Sequence, residues 1–280
     1  MRYINRDSIV ARVPHLVAAA EEARQEILLE TDPNRRADLI DRHRDKWIAF
    51  RPAFEELSHD KCWYVECKNH GADDDIDHFR PKGRVAEDRD HGGYWWEALN
   101  WRNFRLSCHR ANRLRVNPES GDTCGKGDHF PLLREEDRCR TPADDLSRES
   151  PMLLDPTDPF DPPLITFDID GTVALSPDFE ADADAGKRVQ LSREFLHLDW
   201  PAFKEARQQL YSAISVMVSD GERLLRPPAA AGHIESVKMI ARDLIDLTRD
   251  EKPYSMAAKA YISRFRHIPW VKRAVLPHFA

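Results

Sequence analysis

The stretch from Cys62 to Leu132 constrains this chain more than any other. Its centre reads Asp75-Ile76-Asp77-His78-Phe79-Arg80-Pro81-Lys82. Trp95-Trp96 follows, then Asn100-Trp101-Arg102-Asn103-Phe104-Arg105-Leu106-Ser107-Cys108 and Asn112-Arg113-Leu114-Arg115. The stretch closes on Gly127-Asp128-His129-Phe130-Pro131-Leu132. Taken singly, these residues say little. An Asp-His pair is common, Asn103 suits a turn, and Asn112 suits a helix cap. Their order, with Arg80, Lys82, Arg113 and Arg115 beside them, makes the set informative as a motif.

An Asp-His pair, a Trp-rich approach to one Asn and a second Asn nine positions on resembles the layout of HNH nucleases. That layout implies a two-stranded hairpin and a helix around one divalent metal, the ββα-metal core. The chemistry fits the spacing. Phosphodiester cleavage builds negative charge that a hard cation neutralises, and a general base must deprotonate the attacking water. Neighbouring strand residues point to opposite sides. Asp77 would therefore face the metal while His78, as the base, faces the water. Asn112 would open the helix and offer a second oxygen ligand. Oxygen donors suit Mg²⁺ (or Mn²⁺), which keeps several waters of its own. Asn103 would sit on the returning strand and brace the loop that holds His78, since the base needs its other ring nitrogen held.

The match is more specific still. His78-Phe79-Arg80-Pro81-Lys82, Gly93-Tyr94-Trp95-Trp96, Phe130-Pro131-Leu132 and Pro151-Met152-Leu153-Leu154-Asp155-Pro156 resemble one group over roughly residues 60 to 215. This is the HNH nuclease subunit, PtuB, of Septu-type two-gene antiphage defence systems, with its retron-associated relatives. The resemblance implies a DNA-degrading enzyme that works beside an ABC-type ATPase subunit, PtuA. It assigns Asp77 and Asn112 to the metal, His78 to the base and Asn103 to the mid-motif position. The chain departs from many HNH proteins at the cysteines. Two Cys-x-x-Cys knuckles would hold a structural zinc. Here Cys62 and Cys108 keep the first positions, but Val65 and Ala111 stand at the second. No structural zinc is expected, and Cys62 and Cys108 become remnant thiols. A shifted tetrahedron using Cys67, Cys124, His70 or His109 is the alternative.

Charge bears on the DNA partner. The chain has 42 Lys and Arg against 49 Asp and Glu, a formal net charge of -7. That argues against coating DNA by bulk charge. Distribution matters more: Ala98 to Pro118 holds Arg102, Arg105, Arg110, Arg113 and Arg115 with no acid. Such a stripe suits phosphate contact, and a solvated face is its alternative. The expected DNA contacts are Arg80, Lys82, Arg113 and Arg115. The five cysteines are too few and irregular for a disulfide framework, so a reducing cytoplasm is expected. No apolar run nears transmembrane length, no signal peptide is read, and no membrane partner is expected.

The expected fold class is α+β and mostly helical. Residues 1–60 form an N-terminal helical segment, with one helix over 8–30 and another over about 36–57 that Pro52 should kink. No chemistry is visible there. Residues 61–133 form the nuclease core, and 134–163 an extended, Pro-rich connection over the surface. Residues 164–280 form a hairpin followed by helices over about 185–195, 201–218 and 233–249, with a last one from about Tyr254.

Leu164-Ile165-Thr166-Phe167-Asp168-Ile169-Asp170-Gly171-Thr172-Val173 also looks like the first motif of haloacid-dehalogenase-type phosphatases. There Asp168 would be the nucleophile and Asp170 the acid/base. That fold needs a parallel sheet, and helices follow instead. The plainer reading is a hairpin turned at Asp170-Gly171. A nuclease fold that has gone catalytically silent and only binds DNA or a partner is the other alternative.

Overall fold

The computed structural model describes every residue except 70, 117, 119, 120, 122, 228–230 and 280. Five helices open the chain: α1 (Ile9–Arg12), α2 (Pro14–Leu29), α3 (Pro33–Arg42), α4 (Arg44–Ile48) and α5 (Arg51–Ser58). The helix expected over 8–30 is thus split at Val13, where Pro14 takes the first helical position. The one expected over 36–57 is three helices. Asp32 caps α3 by accepting from the backbone N–H of Asn34 and Arg35. Pro52 lies in the first turn of α5, where it costs no hydrogen bond, so it starts a helix and kinks none.

The central hairpin pairs β1 (Asp75–His78) with β2 (Phe104–Ser107), antiparallel. The register sets Asp75 opposite Ser107, Asp77 opposite Arg105 and His78 opposite Phe104. One helical turn, α6 (His109–Asn112), follows at once. A short second pair, β3 (Arg115–Val116) and β4 (Thr123–Cys124), returns the chain to the hairpin.

Three apolar clusters meet around this hairpin. Ile76, Phe104 and Leu106 pack against the N-terminal helices through Ile27, Trp47, Phe50 and Phe54. Phe79 packs with Tyr94, Trp96, Phe130 and Leu153. Cys62, Val65, Cys108 and Ala111 join the core of the C-terminal helices. The expected boundaries at 60/61 and 163/164 are therefore crossed by continuous cores. Residues 134–163 are also not a surface strap. They are irregular with short 3-10 turns, yet Leu153 and Leu154 are buried and Leu132 bridges to Pro151. Two adjacent leucines inside a Pro-rich segment are enough apolar surface to pull it inward.

The hairpin expected near 164–175 is present as β5 (Ile165–Phe167) and β6 (Val173–Leu175), with Gly171 at φ +86° in the turn. Among the described residues every strand pair is antiparallel and every sheet two-stranded. Asp170 accepts from the Thr172 N–H and hydroxyl, as a turn residue does. The parallel sheet that a phosphatase reading of Asp168 and Asp170 requires is absent from them. The rest is α7 (Ala183–Phe195), α8 (Pro201–Leu225), α9 (Ala231–Leu247), α10 (Ser255–Ser263) and α11 (Pro269–Ala274).

Arg105 ties β2 to the 134–163 segment. It is 2% exposed, and its guanidinium grips Asp155 through two bonds of 2.7 and 2.6 Å. Burial works to raise the Asp155 pKa, but the Arg105 guanidinium outweighs it and brings it down to about 2. A carboxylate so depressed contributes stability above its unfolded value and loses it as pH falls through the folded value. Asp155→Ala is expected to lower unfolding free energy by about 3–5 kcal/mol, read from urea titration, because Arg105 is left buried and unpaired. Acid unfolding should draw on this pair between about pH 4 and pH 2. An Asp155→Asn variant with an unchanged acid limb would contradict this.

Candidate functional site

Strand alternation divides β1 into two faces, with Asp75 and Asp77 on one and Ile76 and His78 on the other. The end of the hairpin opens into a cleft of about 740 Å³ whose lining includes Asp75, Asp77, His78, Lys82, Asn112 and Arg113. The structure therefore gathers Asp77, His78, Lys82, Asn112 and Arg113 in one place, from separate stretches of chain.

His78 is held by three neighbours. Its ring meets Trp47 of α4 and Phe104 of β2 edge-on, each 5.2 Å between centroids. Its Nε2 lies 2.9 Å from the Ala98 carbonyl oxygen. A carbonyl only accepts, so the proton is assigned to Nε2 and Nδ1 is left as the ring's acceptor. Burial pushes the His78 pKa down to about 3, and the neighbouring Lys82 charge adds to this. Asn103 ends the 3-10 turn that leads into β2. Its Oδ1 accepts from the Arg80 N–H at 2.8 Å, and its Nδ2 donates to the Arg80 carbonyl at 2.9 Å. Its own carbonyl accepts from the Phe79 N–H. Asn103 thus clamps the two residues that follow His78.

Asp77 has partners that the sequence reading missed. Its Oδ1 accepts from Lys126 Nζ at 2.8 Å and its Oδ2 from the Tyr64 hydroxyl at 2.8 Å. The same ammonium donates to the His78 carbonyl at 2.6 Å, and Lys126 is wholly buried. Glycines on both sides deliver Lys126. Gly125 has φ +138°, and a Cβ there would sit 2.4 Å from the Arg113 carbonyl oxygen. Gly127 donates its N–H to the Asn112 carbonyl. A lone lysine between glycines carries no motif, so nothing in the sequence marked it.

Asn112 does not point its amide at Asp77. Its Nδ2 donates to Asp75 Oδ2 at 3.1 Å, and Arg113 grips both Asp75 oxygens at 3.0 and 2.8 Å. Burial works to raise the Asp75 pKa, but the bonds from Arg113 and Asn112 leave it lowered. Asp75 lies two residues before Asp77 on the same strand face, so alternation alone could have found it. For a divalent cation, Asp75, Asp77 and Asn112 are hard oxygen donors at one cleft and fit Mg²⁺ in kind. Asp77 is already charge-compensated, however, so a cation there competes with Lys126. Among the described residues no group of three or more His, Cys, Asp or Glu is arranged to hold a metal. A cation would therefore share Asp77 with Lys126 or Asp75 with Arg113, and take the Asn112 amide oxygen and water as its other ligands.

The expected DNA contacts separate. Arg80 turns inward to Glu149 at 2.7 Å and over the Phe130 ring, so it is spent on packing. Arg105 is buried against Asp155. Arg102 lies over Trp101 and Arg110 over Trp200. Arg113 is exposed beside Asp75, Arg115 is exposed on β3, and Lys82 lines the cleft. The stripe read from 98–118 is thus no single surface. A hairpin and a one-turn helix distribute successive arginines over different faces.

Cys62, Cys67 and Cys108 are buried free thiols joined by hydrogen bonds. Bonds from Cys62 and Cys67 bring the Cys108 pKa down, while burial pushes Cys62 up to about 12. Val65 and Ala111 are buried in the same cluster. His109 turns to Asp75 and Arg113. Cys124 lies partly exposed on β4, and His70 is outside the described residues.

Hairpin, helical turn and cleft define a protein that presents a pinned neutral histidine beside two aspartates and an asparagine. No family model matches this chain. A stretch of 107 residues, 36% of the chain, is 32% identical to Septu protein PtuB of Bacillus mycoides (strain KBAB4). This is a PtuB-like relationship, and it spans about a third (32%) of the length of that curated relative. No helix among the described residues is long and apolar enough to cross a membrane.

Lys126→Met is expected to cost about 3–5 kcal/mol, since it leaves the Asp77 carboxylate buried and uncompensated. Asp77→Asn combined with Lys126→Met should recover most of that loss. Chemical denaturation of the two single variants and the double variant measures the coupling. Additive losses would mean that the two groups do not depend on one another.

Proposed function

We propose that this chain is a metal-dependent HNH DNA endonuclease, and that it acts as the effector of an antiphage defence system beside a PtuA-like ATPase subunit. The observation that carries this reading is His78, pinned as a neutral Nε2–H imidazole at a cleft that also holds Asp75, Asp77 and Asn112. The relationship to Septu protein PtuB supports the defence setting.

In this reading Asp77 and Asn112, with Asp75 beside them, would hold Mg²⁺ or Mn²⁺, which supplies charge neutralisation at the phosphate. The chain supplies the rest. His78 Nδ1 takes a proton from water as the water oxygen bonds to phosphorus and the bond to the leaving oxygen breaks. The Ala98 carbonyl keeps the Nε2 proton in place, so Nδ1 is left as the bare acceptor, and the same bond opposes the burial that lowers the ring's pKa. Asn103 fixes the backbone on which His78 is carried.

A second reading has one observation in its favour. The Lys126 ammonium already satisfies Asp77, as a silent DNA- or partner-binding module on this fold would require. A plasmid-nicking assay with Mg²⁺ and Mn²⁺ separates the two. Wild type should cut, and His78→Ala should cut about 10²–10⁴-fold more slowly, the usual scale of a lost general base. Asp77→Ala and Asn112→Ala should raise the metal needed for half-maximal rate. Asn103→Ala should lower the rate about 10–100-fold at an unchanged metal requirement. Equal cutting by wild type and His78→Ala would remove the assignment.

The fold carries no structural zinc in this reading, because buried Val65 and Ala111 replace two of the four thiols. Elemental analysis of protein purified without chelator should find none bound. One zinc per chain, released only on unfolding, would instead make ligands of Cys62, Cys67 and Cys108.

A further inference from the structure

The N-terminal helices carry no motif, yet they build one wall of the cleft. α3 contributes Asp41, and α4 contributes Arg44, Trp47 and Ile48. Five Lys and Arg side chains line the cleft, and three of them are spoken for. Arg51 pairs with Asp73, Arg84 with Asp128 and Arg113 with Asp75. Among the described residues, Arg44 and Lys82 have no carboxylate within ion-pair distance and make no side-chain hydrogen bond. Lys82 Nζ lies 5.2 Å from the centre of the Trp47 ring, the same ring that abuts His78. It is therefore beside the histidine and not out on the surface.

This arrangement is costly as it stands. Burial lowers the Lys82 pKa, Asp41 offsets part of that, and the Arg44 charge lowers it further. Two like charges facing one cavity repel each other, and an anion placed between them relieves both the repulsion and the lost solvation. The two side chains also differ in use. Arg44 presents a planar fork suited to two phosphate oxygens, while Lys82 is a point charge.

We propose that Arg44 and Lys82 form a clamp for one backbone phosphate of a nucleic acid, so that the N-terminal helical segment is part of the substrate site. The clamp rests on the nuclease reading only for the identity of the polyanion. It places a phosphate against the Trp47 side of His78, where the base is held.

Fluorescence anisotropy of a labelled DNA duplex, in EDTA and over a series of salt concentrations, tests this. Arg44→Ala and Lys82→Ala should each weaken binding to all sequences alike and lower the log–log salt slope by about one, the change that follows when a single phosphate is no longer neutralised. Lys82→Arg should restore the slope. Arg44 is exposed, so its variant tests the clamp without disturbing the core. An unchanged slope in Arg44→Ala overturns the clamp, and if wild type still cuts DNA the nuclease reading stands. Wild type that does not cut, with affinity reduced in both variants, keeps the clamp and overturns the nuclease. Wild type that binds no DNA overturns both.

Discussion

Four residue pairs between Asp75–His78 and Phe104–Ser107 hold the rest of this structure in place. A slip by one residue would turn Asp75 and Asp77 to the face now occupied by Ile76 and His78. It would put two carboxylates into the aromatic packing of Trp47 and Phe104 and take the imidazole out of it. Each of the three apolar clusters takes residues from the hairpin or its immediate flanks, so each resists that slip. The polar site inherits its precision from this apolar consensus.

Two acids at the heart of the cleft are met by cations at ion-pair distance, and two of its cations have no such partner. Asp75 is met by Arg113, and Asp77 by Lys126. Lys82 and Arg44 are left over. Asp41 on the cleft wall offsets part of the Lys82 burial, yet the lining carries five Lys and Arg against four Asp, with Lys126 behind Asp77, and that balance favours a polyanion. It achieves this although the chain as a whole is acidic. Local pairing, not net charge, sets what the cleft attracts.

The sequence was most legible where chemistry depends on spacing along one strand. Asp77 and His78 fall on opposite faces of β1, and Asn103 braces the following loop through the Arg80 backbone. The hairpin at Asp170-Gly171 was legible for the same local reason. What was not legible depends on distant contacts. Arg80 and Arg105 look alike in sequence to cations that face solvent. Only Glu149 and Asp155, far along the chain, decide that both turn inward. Lys126, Tyr64 and Arg44 belong to no pattern, and Asn112 finds Asp75 because α6 is a single turn directly after β2. The 134–163 segment read as a surface strap from its prolines, whereas Leu153 and Leu154 decide its burial.

The proposed chemistry depends above all on the state of one ring: His78 neutral, with its proton on Nε2 and Nδ1 bare. Nitrogen-15 NMR of histidine-labelled protein at neutral pH reads this directly, with His78→Ala assigning the signal. A protonated Nε2 and an unprotonated Nδ1 are predicted for His78. A proton on Nδ1, or an imidazolium with both nitrogens protonated, would contradict that assignment.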